Sequence, residues 1–177
     1  MAVKTEKEGK IAIKTFRVIL VGVVFVSILG SLSHSFYEWS GKNKLIALFC
    51  PVNESTWEHM KLLFFPMLLY IFYIANKWNA KHPSLISAML EGNICGTFLI
   101  PILFYTYSGI LGYNITAIDI ATFYVSVVAA FAMAWQLNRK NVSQYKNILI
   151  GITILVCILF FVFTFYPPGI ALFENPV

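Results

Sequence analysis

The sequence has few charged residues: Asp, Glu, Lys and Arg make up 12% of its 177 residues, while 59% are hydrophobic. Soluble domains carry about 25% charged residues. Several apolar runs instead approach the roughly 20 residues that an α-helix needs to cross about 30 Å of hydrocarbon. The composition therefore predicts an all-α, polytopic membrane protein.

Cysteines, linkers and repeats are also scarce. Three cysteines do not make a disulfide framework, and Cys95 and Cys157 fall inside apolar runs, so we interpret them as small apolar side chains. The sequence contains no repeat of about 20 to 50 residues and no low-complexity linker. It therefore predicts a single transmembrane domain, residues 1–177.

A nucleic-acid surface is not indicated either. The net charge is +5, but no basic patch with interleaved aromatic residues is present, as a nucleic-acid-binding protein would require. The expected partner is the lipid bilayer. A homo-oligomer or a larger membrane complex stays open.

The cations predict how the chain crosses the membrane. Five spans are predicted, at about residues 13–33, 57–76, 83–107, 115–137 and 148–166. Because short cytoplasmic loops retain Lys and Arg, an N-inside, C-outside bundle is favoured: it places ten of the thirteen cations in the cytoplasm. Those ten are Lys4, Lys7, Lys10, Lys14, Arg17, Lys77, Lys81, Arg139, Lys140 and Lys146. The expected location is the cell membrane.

The tryptophans support the same arrangement, because indole prefers the membrane interface. Trp39 and Trp57 fall at the outer boundary, and Trp78 and Trp135 at the inner one. The first outer loop contains the apolar segment KLIALF, residues 44–49, bounded by a glycine and a proline. This pattern predicts a short helix on the outer interface.

The few ionisable groups are concentrated in one stretch, which is where we expect a functional site. Between His34 and His59 lie two of the three histidines and three of the eight acids, Glu38, Glu54 and Glu58. Such side chains are costly in lipid. The uninterrupted apolar run of the second span is too short to cross the bilayer, so Glu58 and His59 are expected near the top of the bundle.

Structural interpretations compete with the functional one. Ser55 and Glu58 fit the capping box S-x-x-E, in which each side chain bonds the backbone N–H of the other residue. His34 and Glu38 are four residues apart and share a helix face. That pair could orient a metal-bound imidazole or form an ordinary interfacial ion pair.

Two acids from other spans complete the candidate pocket. Asp119 lies about one turn into the fourth span from its outer end. Glu91 is expected near mid-membrane, where a carboxylate should be protonated, paired or in a wet cavity.

The helix stripe of Glu91 continues through Cys95, Phe98, Ile102 and Tyr105, which could line a cavity leading outward. Beside it, Ala88, Gly92 and Gly96 form the small-xxx-small pattern of close helix packing, which would hold Glu91 inside the bundle.

The segments HSFYEWSG and ALFCPVNESTWEHMKLLFFP resemble the signature of a group of small bacterial multi-spanning membrane proteins of unknown function. The resemblance covers the first two spans specifically. It implies a polytopic protein of this length and brings no activity, substrate or cofactor. The implied hallmark residues are His34, Glu38, Trp39, Asn53, Glu54, Trp57, Glu58 and His59.

Three functions remain open from the sequence. The first is a pocket that binds or transports a small cationic or proton-coupled ligand, with outer carboxylates leading to Glu91. The second is a zinc-dependent hydrolase acting on a lipid-like substrate. For it we assign His34, His59 and Glu58 as ligands, with Glu54 or Asp119 as the alternative carboxylate. The third is an accessory subunit whose polar cluster only stabilises the bundle.

Overall fold

The computed structural model describes residues 2–78, 83–140 and 145–176. The order of elements is α1, α2, α3, α4, α5, α6 and one 3₁₀ turn. Their bounds are Ala2–Trp39, Lys44–Ala47, Thr56–Trp78, Pro83–Leu111, Thr116–Lys140, Lys146–Phe165 and, for the 3₁₀ turn, Ala171–Phe173. Of the cations used to predict orientation, Lys81 lies outside the described residues.

Five of the described helices are long and apolar enough to cross a membrane, so the predicted all-α bundle is confirmed. The candidate spans are Ile13–Trp39, Thr56–Lys77, Ser84–Leu111, Thr116–Arg139 and Lys146–Phe165. Successive spans run in opposite directions. The end of α1 and the start of α3 therefore lie at the same end of the bundle, which we call the site end.

Helix α1 is longer than the sequence predicted, because it continues past residue 33 to Trp39. It stops at a left-handed turn in which Gly41 and Lys42 have φ of 69° and 61°. The Lys42 N–H donates to Tyr37 O and the Gly41 N–H to Glu38 O, the pattern that satisfies the free carbonyls of a helix end. The extension keeps His34 on a regular helix, close to the loop that follows.

The short helix predicted between the first two spans is confirmed as α2. The Asn43 side chain accepts a hydrogen bond from the Leu45 N–H at 2.8 Å, which starts the helix as an N-cap. Leu45 and Phe49 are exposed, whereas Ala47 and Cys50 are buried against the bundle. These two buried side chains therefore hold the loop against the bundle.

Helix α3 is the centre of the bundle: 67% of its most apolar window is buried, a larger share than in any other described span. It packs against α1 and α4 and also touches α5 and α6. Helices α4 and α5 approach most closely where α4 carries the small residues Ala88, Gly92 and Gly96. A Cβ added at Gly92 would lie 2.4 Å from the carbonyl oxygen of Ala130. The predicted small-residue stripe is thus a packing surface.

Candidate metal centre

Three side chains from separate parts of the chain meet at the site end. His34 lies on α1, Glu54 on the loop before α3, and His59 in the first turn of α3. One carboxylate oxygen of Glu54, Oε2, is 3.4 Å from the Nε2 atom of each histidine. One ligand atom from each of the three residues lies within 4.8 Å of the other two. We call these three residues the His/Glu cluster.

The cluster is open to its surroundings. The side chains of His34, Glu54 and His59 are 42%, 65% and 30% exposed. The two imidazole rings are 5.3 Å apart between centroids. A small ligand or ion can therefore reach the donor atoms without any rearrangement of the bundle.

A hydrogen bond to the backbone determines which nitrogen of His59 is available to bind an ion. Its Nδ1 atom is 2.9 Å from the carbonyl oxygen of Ser55. A carbonyl oxygen only accepts hydrogen bonds, so Nδ1 carries the proton and donates it. In the neutral ring the lone pair is then on Nε2, the atom that faces Glu54. Metal-bound histidines are commonly oriented by this type of outer hydrogen bond.

Glu58, assigned from the sequence as the third ligand, points elsewhere; the structure brings Glu54 to the histidines instead. The Glu58 carboxylate is buried and lies 2.7 Å from Nζ of Lys61. It also accepts a hydrogen bond from the Val52 N–H at 3.0 Å. The reason for the difference is electrostatic: a buried carboxylate needs a cation, and Lys61 is one helical turn away.

Lys61 is not among the site residues predicted from the sequence. It is the largest fully buried side chain among the described residues. Its ammonium group donates to Glu58, to the carbonyl oxygen of Ala47 at 3.0 Å and to the Thr164 hydroxyl at 2.5 Å. We call Glu58, Lys61, Thr164 and the Ala47 carbonyl the buried ion-pair network. It connects α2, α3 and α6 beneath the His/Glu cluster.

The capping interpretation is confirmed in part. The Glu58 N–H donates to Ser55 Oγ at 3.4 Å, as a capping box requires. The reciprocal bond is replaced, because the Ser55 N–H donates to Asn53 Oδ1 at 2.9 Å. Capping therefore explains the roles of Asn53 and Ser55. It does not explain Glu54 and His59, which belong to the His/Glu cluster.

Glu38 and Cys50 lie nearby but have other roles. Glu38 is 3.6 Å from Lys42 in an exposed ion pair, and therefore does not orient His34. Burial raises the pKa of the Cys50 thiol, an effect that the Lys61 ammonium partly opposes. A thiol that stays protonated is a poor metal ligand.

Asp119 is engaged in the connection between α4 and α5. Its carboxylate accepts hydrogen bonds from the Tyr107 hydroxyl and from Asn114 Nδ2. The Tyr107 oxygen in turn accepts the Ile115 N–H at 3.2 Å. These bonds shape the turn into α5, and Asp119 is not part of the His/Glu cluster.

Glu91 and its stripe lie on the outside of α4. Glu91 is only half-buried, and Cys95, Phe98, Ile102 and Tyr105 are exposed. The small-residue stripe packs as expected, and its partner is α5. Ile102 and Tyr105 border a shallow, open depression on the bundle surface. The expectation that Glu91 is held inside the bundle therefore stays a prediction.

Family membership follows from a comparison along nearly the whole chain. Residues 8–177 match the model of a family of unknown function, DUF6512. The chain belongs to this family. No curated protein and no solved structure shows significant similarity to it. The expected membership of a family without assigned activity is confirmed, while the hallmark residues inferred from the resemblance stay a prediction.

The donor set of this family member suits a transition-metal ion. Zinc binds imidazole nitrogen and carboxylate oxygen at about 2.0 to 2.2 Å, and ligand atoms of a tetrahedral centre are then about 3.4 Å apart. Both His–Glu separations are compatible with this value, and all three ligand atoms lie within 4.8 Å of one another. Two histidines and one carboxylate would leave a fourth position of such an ion for water or substrate, as in catalytic zinc sites.

Proposed function

We propose that this protein binds zinc, or a closely similar divalent ion, through His34, Glu54 and His59. The observation that carries the proposal is the convergence of one carboxylate oxygen and two imidazole nitrogens from three separate parts of the chain. Glu54 Oε2 is 3.4 Å from both Nε2 atoms, and the three ligand atoms lie within 4.8 Å of one another, so one ion could contact all three. The hydrogen bond from His59 Nδ1 to Ser55 O supports it, because it leaves Nε2 free to bind.

Metal-dependent hydrolysis is the activity that best suits such a centre. A zinc ion bound at three protein ligands lowers the pKa of a fourth-position water to about 7 and supplies a nucleophilic hydroxide. The exposed cluster gives a substrate direct access. A lipid-like substrate fits a site at the end of a membrane bundle. The lipid bilayer as partner, the cell membrane as location and the extracytoplasmic side for the cluster belong to this proposal.

A second candidate is transport of a small cation. It is favoured by three fully buried polar side chains on α4 and α5, Asn93, Thr97 and Ser126. Each has a side-chain oxygen with no hydrogen-bond partner among the described residues. Buried oxygen atoms of this kind normally bind water or an ion. A cation pathway along these residues would replace the pathway through Glu91 that the sequence suggested.

Zinc binding by the detergent-purified protein tests the proposal. We expect one zinc ion per chain, and we expect His34→Ala, Glu54→Gln and His59→Ala each to weaken binding by more than about 100-fold, since loss of even an outer hydrogen-bond partner costs about 10- to 100-fold. Metal content and competition with a chromogenic chelator measure this.

Glu38→Gln is the matched control, because Glu38 is a nearby exposed carboxylate that pairs with Lys42. It should leave zinc affinity unchanged. A wild-type protein that binds no zinc, or three ligand variants that bind as the wild type does, would refute the metal centre and favour transport or a purely structural role.

A further inference from the structure

Glu54 is the ligand with the least support from a regular element. His34 and His59 lie on helices, whereas Glu54 lies on the loop between α2 and α3 and its side chain is 65% exposed. A metal site needs its ligands held within about 0.5 Å of the binding geometry. Hydrogen bonds to the loop backbone are therefore needed to hold Glu54 in place.

The segment after α6 supplies such contacts. It passes Pro167 and Pro168 and forms the 3₁₀ turn, which packs against α3. The Phe173 ring lies 4.9 Å from that of Trp57 and 5.3 Å from that of Phe163. Because Trp57 is buried in the first turn of α3, these aromatic contacts dock the segment beside the loop that carries Glu54.

Asn175 then contacts the ligand residue itself. Its Oδ1 atom accepts a hydrogen bond from the Glu54 N–H at 3.1 Å, although the two residues are 121 positions apart in the sequence. The adjacent Ser55 N–H is bound by Asn53 Oδ1. Two consecutive peptide groups of the loop are thus fixed, one from within the loop and one from the segment after α6.

We infer that Asn175 is a positioning residue of the metal site, acting through the backbone of Glu54. The inference rests on the proposed zinc binding. It assigns a role at the His/Glu cluster to a part of the chain outside the five spans. Because coupling between two binding events is reciprocal, zinc must also strengthen the docking of residues 171–176 onto the loop.

Zinc affinity of the Asn175→Leu variant tests this role. Leucine has a similar size but accepts no hydrogen bond, so we expect zinc to bind about 3- to 10-fold more weakly, the effect of one lost hydrogen bond. Asn175→Asp keeps the acceptor and adds a negative charge, so it should bind zinc at least as tightly as the wild type. Glu174→Gln, a change at the neighbouring exposed residue, is the control and should have no effect.

A readout independent of affinity separates positioning from general stability. The thermal midpoint of metal-free Asn175→Leu should stay close to that of the wild type, because the bond is exposed and its loss leaves no buried polar group unpaired. Zinc should slow amide hydrogen exchange at Glu54 and at residues 171–176 in the wild type, and much less in Asn175→Leu.

The possible failures are distinguishable. If the wild type binds no zinc, the proposed function fails and this inference fails with it. If the wild type binds zinc and Asn175→Leu binds it equally well, or if Asn175→Asp is as weak as Asn175→Leu, only the positioning role is overturned.

Discussion

Replacement of Lys61 by methionine is expected to destabilise the folded protein by about 3–5 kcal/mol. Methionine fills a similar volume but leaves Glu58 buried without its cation, and removal of one partner from a buried ion pair costs about this much. The Ala47 carbonyl and the Thr164 hydroxyl lose their donor in the same step. Equilibrium unfolding in detergent, or the thermal midpoint, measures the loss.

The exposed pair between Lys42 and Glu38 provides a matched control. Both of its side chains are 65% exposed, and exposed ion pairs contribute about 0–1 kcal/mol. Lys42→Met should therefore change stability little. The double variant Lys61→Met/Glu58→Gln should be more stable than Lys61→Met alone, because it removes the uncompensated charge. Equal effects of Lys61→Met and Lys42→Met would contradict the buried ion-pair network.

Replacement of Gly92 by alanine is expected to destabilise the bundle by about 1–3 kcal/mol through overpacking. The added Cβ would lie 2.4 Å from the carbonyl oxygen of Ala130. That atom belongs to the backbone of α5, so it cannot rotate away as a side chain would, and the two helices must separate. The thermal midpoint in detergent, compared with that of the wild type, measures the effect.

Gly109 is the control on the same helix. A Cβ added there meets no atom within 4 Å, and alanine favours a helix over glycine by up to about 1 kcal/mol. Gly109→Ala should therefore be neutral or stabilising. If both variants behave alike, the close contact between α4 and α5 does not exist.

The fold was predictable because the length and composition of each apolar run define a span. The end of α1 was harder to predict, since the turn at Gly41 and Lys42 depends on backbone geometry and not on apolarity. The small-residue stripe of α4 predicted close packing correctly. It did not identify α5 as the partner, and without that partner the burial of Glu91 could not be inferred.

The candidate site was only partly predictable. The sequence drew attention to His34 and His59 because ionisable residues are rare elsewhere. It could not separate Glu54 from Glu58, because the choice depends on Lys61 and on Thr164, which is 103 positions further along the chain. No sequence pattern indicated a contact between Asn175 and Glu54, because the two residues are 121 positions apart and only the fold brings them together.

Helix α1 connects the His/Glu cluster to the opposite side of the bundle. The helix has 38 residues and no proline, so it is a continuous rod about 57 Å long at 1.5 Å per residue. His34 sits near one end of this rod. An ion bound by His34, Glu54 and His59 would therefore attach the loop before α3 to a helix that continues without a proline to the opposite side of the bundle.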